Sequence, residues 1–492
     1  MLTALAAPKP QPKTDDRPFK VAIVGGGISG LSAAFRLWQH RAAFPRPLEL
    51  VLLEGDRRLG GQIQSETTED GLLERGPDSL LWQKSAAREL CLRLGLGEEL
   101  VYPGRPGPIH ILHRKKIRPL PSGFKIAAPT QWGPALASPL FSWSAKWRMI
   151  LEYMENFAPG TADESLGAFI ERHFGREVLE RVVQPILASI FLCDARQLSL
   201  RLTMPQLLRL ERQYGSVTKG LRQSTRRPEG PIPPPYFSLK KGLSQLVRAL
   251  VEAIPNENIK TGATIERVEY QNDSSLWRLH WNGGRIAQAD ALILACPAFA
   301  AAKLLNREAP ELARQLDAVN YASCATINFV HEHEKLANRF PINGFFVPHG
   351  ENLSFLACNF VHNKFHGRIQ EGKNVLRVFA GGTLQAGLLD MSDGELCDRI
   401  HAELAGVLKI TNAPKRVHIY RHAEAMPLRT VALEKTLAKI EFLRGQRTGL
   451  FLAGGGRAAV GIPDCIQSGE QAAEDTLQFL RKQPAGVLER AV

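Results

Sequence analysis

The chain has little cysteine for its length. Seven cysteines stand among 492 residues, at 91, 193, 296, 324, 358, 397 and 465, with no Cys-x-x-Cys pair. An odd, scattered set excludes a disulfide scaffold and a structural zinc module, and it suits a reducing compartment. No window holds about 18 uninterrupted apolar residues, so no membrane-spanning helix is expected. The formal net charge is +13, yet there is no long basic run and no recognised nucleic-acid module, so nucleic acid is excluded as the main partner. An anionic leaflet or an acidic ligand fits the excess equally well. There is no internal repeat and no low-complexity tract. Residues 1–17 are polar and proline-bearing without an apolar core, which reads as a disordered tail rather than a signal peptide. Among the histidines at 331, 333, 349, 362 and 366, the pair His362 and His366 has helical i, i+4 spacing, but a metal site needs three or four ligands plus orienting partners, so no metal is expected.

What is present is concentrated at the two ends. The apolar run Val21–Val24 enters Gly25-Gly26-Gly27-Ile28-Ser29-Gly30, and a helix pattern follows. A second apolar strand, Leu48–Leu53, ends on Glu54. This strand, turn, helix and acid-tipped strand is the fingerprint of an adenine dinucleotide site. Gly25 permits the tight turn, Gly27 lets the backbone approach a pyrophosphate, and Gly30 lets the helix lie close to the strand. The helix N-terminus offers free N–H groups to phosphate, and Glu54 would accept from a ribose diol. Gly55 and the doublet Gly60-Gly61 before Gln62 suit FAD better than NAD, because an extended flavin needs a second backbone segment close by. The turn Gly76-Pro77-Asp78-Ser79 follows. At the far end, the strand Gly449–Gly454 runs through Gly455 and Val460-Gly461 into a helix starting near Ile462, with Pro463 in its first turn.

With these residues in hand, the chain resembles the protoporphyrinogen/coproporphyrinogen oxidase family of FAD-dependent, amine-oxidase-like flavoproteins. Three internal segments carry the narrower likeness: Asp163–Val178, Gln197–Leu207 and Tyr236–Leu243. Gly461–Ile466 adds to it, and the match runs from about Lys20 to about Leu480. The resemblance implies an α/β and α+β architecture: a discontinuous Rossmann-like FAD-binding domain, a mixed-sheet substrate domain and a mostly helical, membrane-facing domain. The expected division is FAD-binding segments at 18–102, 236–305 and 441–482, a helical unit at 103–225, and a substrate unit at 306–440. It implies six-electron oxidation of coproporphyrinogen III or protoporphyrinogen IX, with oxygen as acceptor and hydrogen peroxide as product. It places cofactor contacts at Gly25–Gly30, Glu54, Gly55, Gly60–Gln62, Gly76–Ser79, Val268, Gly455 and Val460–Ile462. The expected location is cytoplasmic and peripheral on the inner face of a membrane. The next haem-pathway enzyme is the expected protein partner, and a homodimer is compatible with the family.

The substrate side departs from the family pattern. Cys193 stands where relatives carry glycine, and Met426-Pro427-Leu428-Arg429 stands where they read Met-Pro-Gln-Tyr. Cys193, Phe345, Phe346, Met426 and Leu428 are the expected pocket lining. Arg118 or Arg429 would meet a propionate. No catalytic acid or base is assigned, since the resemblance asks the protein for placement and dryness rather than a strong base. Another FAD oxidase or desaturase of the superfamily, and a low-turnover FAD- and porphyrin-binding scaffold, remain the alternatives. Between Trp132 and Phe157, aromatic residues alternate with Lys146 and Arg148. That mixture suits either a membrane interface or an internal packed face.

Overall fold

The computed structural model describes residues 17–483 except 45, 105–106, 159, 161–162, 225–233 and 333–335. Most of the expected tail therefore lies outside the described residues, as does His333.

The strand Phe19–Val24 is buried at every position but Lys20, the pattern of a strand covered on both faces. It lies at the centre of a five-stranded parallel sheet in the order Ile259–Lys260, Leu48–Leu53, Phe19–Val24, Ala291–Leu294, Leu450–Leu452. Three distant stretches of sequence thus build one sheet. The helices Ile28–His40 and Ile462–Arg481 cover one face, burying Leu31, Phe35, Ile466 and Leu477. They pack very closely, since a Cβ on Gly469 would collide with the Ser29 carbonyl. The other face is covered by the helix Ala298–Leu305 and the three-stranded meander Ile265–Ala289.

A second, seven-stranded sheet has the order Arg416–Pro427, Tyr321–Glu332, Lys373–Gly381, Ala357–Phe360, Gly344–Phe346, His110–His113, Lys116–Pro119. It is antiparallel except where Phe346 meets Ile111. The hairpin His110–Pro119 completes this sheet instead of standing with the helices that follow it in sequence. Its consecutive apolar residues explain the placement: Ile111 is buried on one face of the sheet and Leu112 on the other. One face packs on the helix Asp393–Leu408, which starts with a Ser392–Glu395 capping box. The opposite face looks toward the helices and the parallel sheet.

The helical part contains Trp143–Met154, Leu166–Phe174, Pro205–Tyr214 and Val217–Ser224. A further helical run extends from Arg176 to Phe191, with a π stretch at Leu179–Val183 directly before Gln184 and Pro185. Proline has no N–H and crowds the preceding turn, so the local widening accommodates it. On Trp143–Met154, Ala145 and Met149 face inward, while Trp143 is 71%, Trp147 62% and Met154 69% exposed. The aromatic residues of this stretch therefore form an outer ridge. Among the described residues, no helix is long and apolar enough to cross a membrane.

Candidate cofactor and substrate site

The glycines at 25, 27 and 30 meet three different constraints. Gly25 has φ +109°, and a Cβ there would lie 2.9 Å from the Ala295 carbonyl carbon. A Cβ on Gly30 would collide with the Gly25 carbonyl. Gly27 is different, because a Cβ there would meet nothing within 4 Å. Protein packing therefore does not demand glycine at 27, and the space beside it is open to a ligand. Gly27 is also the N-cap of Ile28–His40, with no side-chain cap, so the first N–H groups of that helix stay available. Glu54 sits at the tip of its strand. Its carboxylate accepts the Gly26 N–H at 2.5 Å and the Asp56 N–H at 2.8 Å.

The second glycine segment is joined directly to the first. Gly60 donates to the Gly26 carbonyl at 2.8 Å, and Gly27 and Gly60 form an isolated parallel bridge. Gly76 is pressed against the Gln62 carbonyl, which carries the chain on to Pro77, Asp78 and Ser79. This turn is clamped from the seven-stranded sheet. Lys364 Nζ donates to both Asp78 oxygens at 2.8 and 2.9 Å and to Ser79 Oγ at 3.2 Å. Arg377 donates to the Gly76 carbonyl and lies 3.6 Å from Asp78. Burial alone would raise the Asp78 carboxyl, but Lys364 and Arg377 outweigh it and hold the group well below the usual carboxylate range.

His422 spans the same junction, with Nε2 2.9 Å from the Arg75 carbonyl and Nδ1 2.9 Å from the Gln62 amide. Burial lowers the pKa of this ring and favours neutral imidazole. With Nε2–H donating to the carbonyl, Nδ1 is an acceptor, so the Gln62 NH₂ belongs at this contact and its oxygen points elsewhere.

The C-terminal strand reaches the same place. Gly454 has φ +57° and donates to Ser468 Oγ at 3.0 Å, and its α-carbon abuts Ser29. A Cβ on Gly455 would lie 2.8 Å from the Tyr321 hydroxyl. Gly461, φ +83°, caps Ile462–Arg481 without a side-chain cap and, like Gly27, has open space at its α-carbon. Val460 and Ile462 are buried beside it. Val268 is fully buried in the core behind the parallel sheet, so its side chain is not available to a ligand. Its backbone is available. The strand Ile265–Gln271 pairs on one edge only, and the Tyr270 N–H leaves the free edge toward Glu308, so Val268 also faces that free edge.

The expected pocket residues divide. Cys193, Phe346, Met426 and Leu428 gather on the face of the seven-stranded sheet that looks toward the helices, with Ala322 and Cys324 beside them. Arg118 pairs with Ile111 and shares that face. Phe345 does not belong to the lining. It is 1% exposed and packs with Phe355 and Phe360 on the opposite face, because neighbouring residues of a strand point to opposite sides. Arg429 is also spoken for. Its guanidinium donates to the carbonyls of Ala458 (3.1 Å) and Leu202 (2.9 Å) and approaches Asp464 at 3.4 Å, so it braces the C-terminal turn. Burial pushes the Cys193 and Cys465 thiols up to about 11, which keeps both protonated. Among the described residues, no three His, Cys, Asp or Glu side chains converge as metal ligands.

Comparison with known proteins agrees with this geometry. The family model for flavin containing amine oxidoreductase matches residues 28–477. Coproporphyrinogen III oxidase of Bacillus subtilis is 30% identical over 94% of this chain and 98% of its own length. The chain belongs to the flavin-containing amine oxidoreductases, in their protoporphyrinogen/coproporphyrinogen oxidase family. Human protoporphyrinogen oxidase is 28% identical over 93% of this chain and 98% of its own. The crystal structure named "Putative protoporphyrinogen oxidase" from Exiguobacterium sp. 255-15 superposes with a TM-score of 0.82 at 27% identity, covering 94% of this chain and 99% of that one.

For a flavoprotein oxidoreductase, Gly27, Gly61 and Gly461 form a fitting cradle: the added Cβ would meet nothing at Gly27, only the Gly27 Cα at 3.4 Å from Gly61, and only Pro463 at 4.0 Å from Gly461. Sequence reasoning missed His422, Lys364, Arg377 and Tyr321. Lys364 and Arg377 meet Asp78 across more than 280 residues, and no local pattern marks them. His422 had a faint signal, the polar alternation Arg416, His418, Tyr420, His422. Those side chains reach Asp70, Asp70, Glu66 and Gln62 in turn.

Proposed function

We propose that this flavoprotein is an FAD-dependent oxidase of haem biosynthesis. It takes six electrons from coproporphyrinogen III or protoporphyrinogen IX, with oxygen as acceptor and hydrogen peroxide as product. The observation that carries the reading is the direct contact between the two chain ends. The Gly26–Gly60 hydrogen bond and Ser29 against Gly454 and Gly469 bring these segments together, and with the open α-carbons at 27 and 461 they would form one groove. A groove that begins at Glu54 and the Val268 strand edge suits an adenosine end, which favours FAD over a mononucleotide. Gly25–Gly30, Glu54, Gly55, Gly60–Gln62, Gly76–Ser79, the Val268 backbone, Gly455 and Val460–Ile462 are the residues that would hold it.

When bound, the flavin supplies the two-electron acceptor for a macrocycle methylene hydride. The residues of this chain do the rest. Lys364, Arg377 and His422 hold the 75–79 turn and Gln62 rigid. Phe346, Met426 and Leu428 offer an apolar wall, with Cys193 buried behind it, that excludes water from a flat, greasy substrate. Arg118, on the same face, is placed for a propionate. Gly454–Arg457 brings no paired aromatic residues toward the groove, which speaks against an amine cage. The exposed ridge of Trp143, Trp147 and Met154 supports peripheral contact with a membrane surface.

The test is a paired assay of oxygen uptake, peroxide and porphyrin fluorescence with each porphyrinogen. Porphyrin formation well above autoxidation, with stoichiometric peroxide, is the expected result. A flavin-loaded protein that leaves both substrates to autoxidise would point instead to a binding scaffold.

A further inference from the structure

The strand Arg416–Pro427 is interrupted where it passes the groove. Cys324 pairs with His422 but Ala322 pairs with Met426, so one residue on one strand, Ser323, stands opposite three on the other. The extra residues, Ala423–Ala425, form a bulge with Glu424 at its tip. Glu424 has φ +44°, a left-handed conformation that a glutamate adopts only at a cost. Its N–H is held by Ser323 Oγ at 3.0 Å. Bulges of this kind re-aim side chains beside active sites.

The residue that opens the bulge is bound to the cofactor segments. His422 binds Gln62 and Arg75 there. On the neighbouring strand, the Tyr321 hydroxyl accepts the Ala298 N–H at 2.9 Å, and a Cβ on Gly455 would lie 2.8 Å from it. Glu424 thus stands between His422, which binds the N-terminal cofactor segments, and Met426 of the apolar wall, two residues from each. Ala423 and Ala425 flank it, so no bulky side chain competes for the space. Glu424 is exposed.

We propose that Glu424 is the carboxylate that takes the pyrrole N–H proton during porphyrinogen oxidation. This rests on the porphyrinogen reading above. In one two-electron round, a methylene C–H bond breaks and its hydride leaves to the flavin. A pyrrole N–H bond breaks and its proton goes to a Glu424 oxygen. The N–H electron pair completes the new double bond, so the macrocycle loses two electrons and the flavin gains them. Solvent exposure then lets Glu424 release the proton to water. A porphyrinogen turns its pyrrole N–H groups toward the ring centre, where one carboxylate can accept from them.

The test compares wild type with Glu424→Gln and Glu424→Asp as flavin-loaded proteins. Flavin content and porphyrin affinity, read by fluorescence quenching, should stay within twofold in both variants. Anaerobic flavin reduction by porphyrinogen should slow at least about tenfold in Glu424→Gln, in the range of a positioned acid–base group. Glu424→Asp should recover part of the rate. Wild-type reduction rates in Glu424→Gln would overturn the proposal, as would slowing that tracks only lost porphyrin affinity. If wild type itself oxidises neither porphyrinogen, the functional reading fails first, so the two failures are distinguishable.

Discussion

Gly27 and Gly30 are both glycines of one motif, yet they answer to different masters. Gly30 is required by the protein, since its α-carbon faces the Gly25 carbonyl, whereas Gly27 faces open space. Gly30→Ala should therefore destabilise the apoprotein by about 1–3 kcal/mol through overpacking. Gly27→Ala should leave the apoprotein's thermal midpoint unchanged and lower its flavin-to-protein ratio. The comparison is made by thermal denaturation of stripped protein and by absorbance after reconstitution. Lys364 offers a second contrast. Replacing it with methionine leaves Asp78 buried with less compensation, for which a loss of about 3 kcal/mol in chemical denaturation is expected. The motif glycines were legible from sequence because their spacing is local. The partner of Asp78 was not, because the fold alone brings Lys364 to it.

At the scale of the element, the strand Arg416–Pro427 shows how one pattern serves two purposes. Its first half sends Arg416, His418, Tyr420 and His422 onto the 62–75 segment, tying the two sheets together. After the bulge, Met426 and Leu428 line the apolar wall. The helices have their own lock. His173 is fully buried between Phe157 (4.0 Å) and Phe169 (4.3 Å), and its nitrogens meet Glu152 at 3.1 Å and Glu211 at 3.0 Å. Glu152 also accepts the Val217 N–H at 2.7 Å, so one imidazole joins three helices and the start of a fourth. His173→Ala leaves two buried carboxylates short of a partner. A loss of about 3–5 kcal/mol is expected in urea unfolding followed by far-UV dichroism. The exposed ridge carries a separate prediction. Trp143→Ala/Trp147→Ala should reduce sedimentation with vesicles of anionic phospholipid while leaving oxidation of detergent-dispersed porphyrinogen unchanged. Equal sedimentation would argue against membrane contact through this helix. Composition marked Trp132–Phe157 as aromatic and basic, but it left membrane interface and internal packed face undecided. Only the neighbours that cover Met149 and leave Trp147 bare distinguish them.

The whole molecule is held at the junction between its sheets by buried charge as well as by apolar packing. Asp70 is bound by Arg416, Lys373 and His418. The Arg416 hydrogen bonds, against an opposing cost of burial, hold its carboxyl well below the usual range. A depressed carboxyl contributes stability above its unfolded pKa of about 3.9 and loses it as pH falls through the folded value. Asp70→Asn should therefore be less stable than wild type at pH 7, and the gap should narrow in acid, read from urea midpoints between pH 7 and pH 3. Asp78 adds to the same acid sensitivity of wild type.

The chain by itself determined the glycine turn, the acid at the tip of the second strand, the terminal helix and the class of fold. Each is written in residues that are close in sequence, where backbone sterics and hydrophobic period act directly. The tertiary structure alone decided which face of Gly344–Phe346 looks into the groove, which cations hold Asp78, and where the bulge presents Glu424. Those outcomes depend on strand register and on contacts between segments hundreds of residues apart, and neither quantity has a local trace in the order of amino acids.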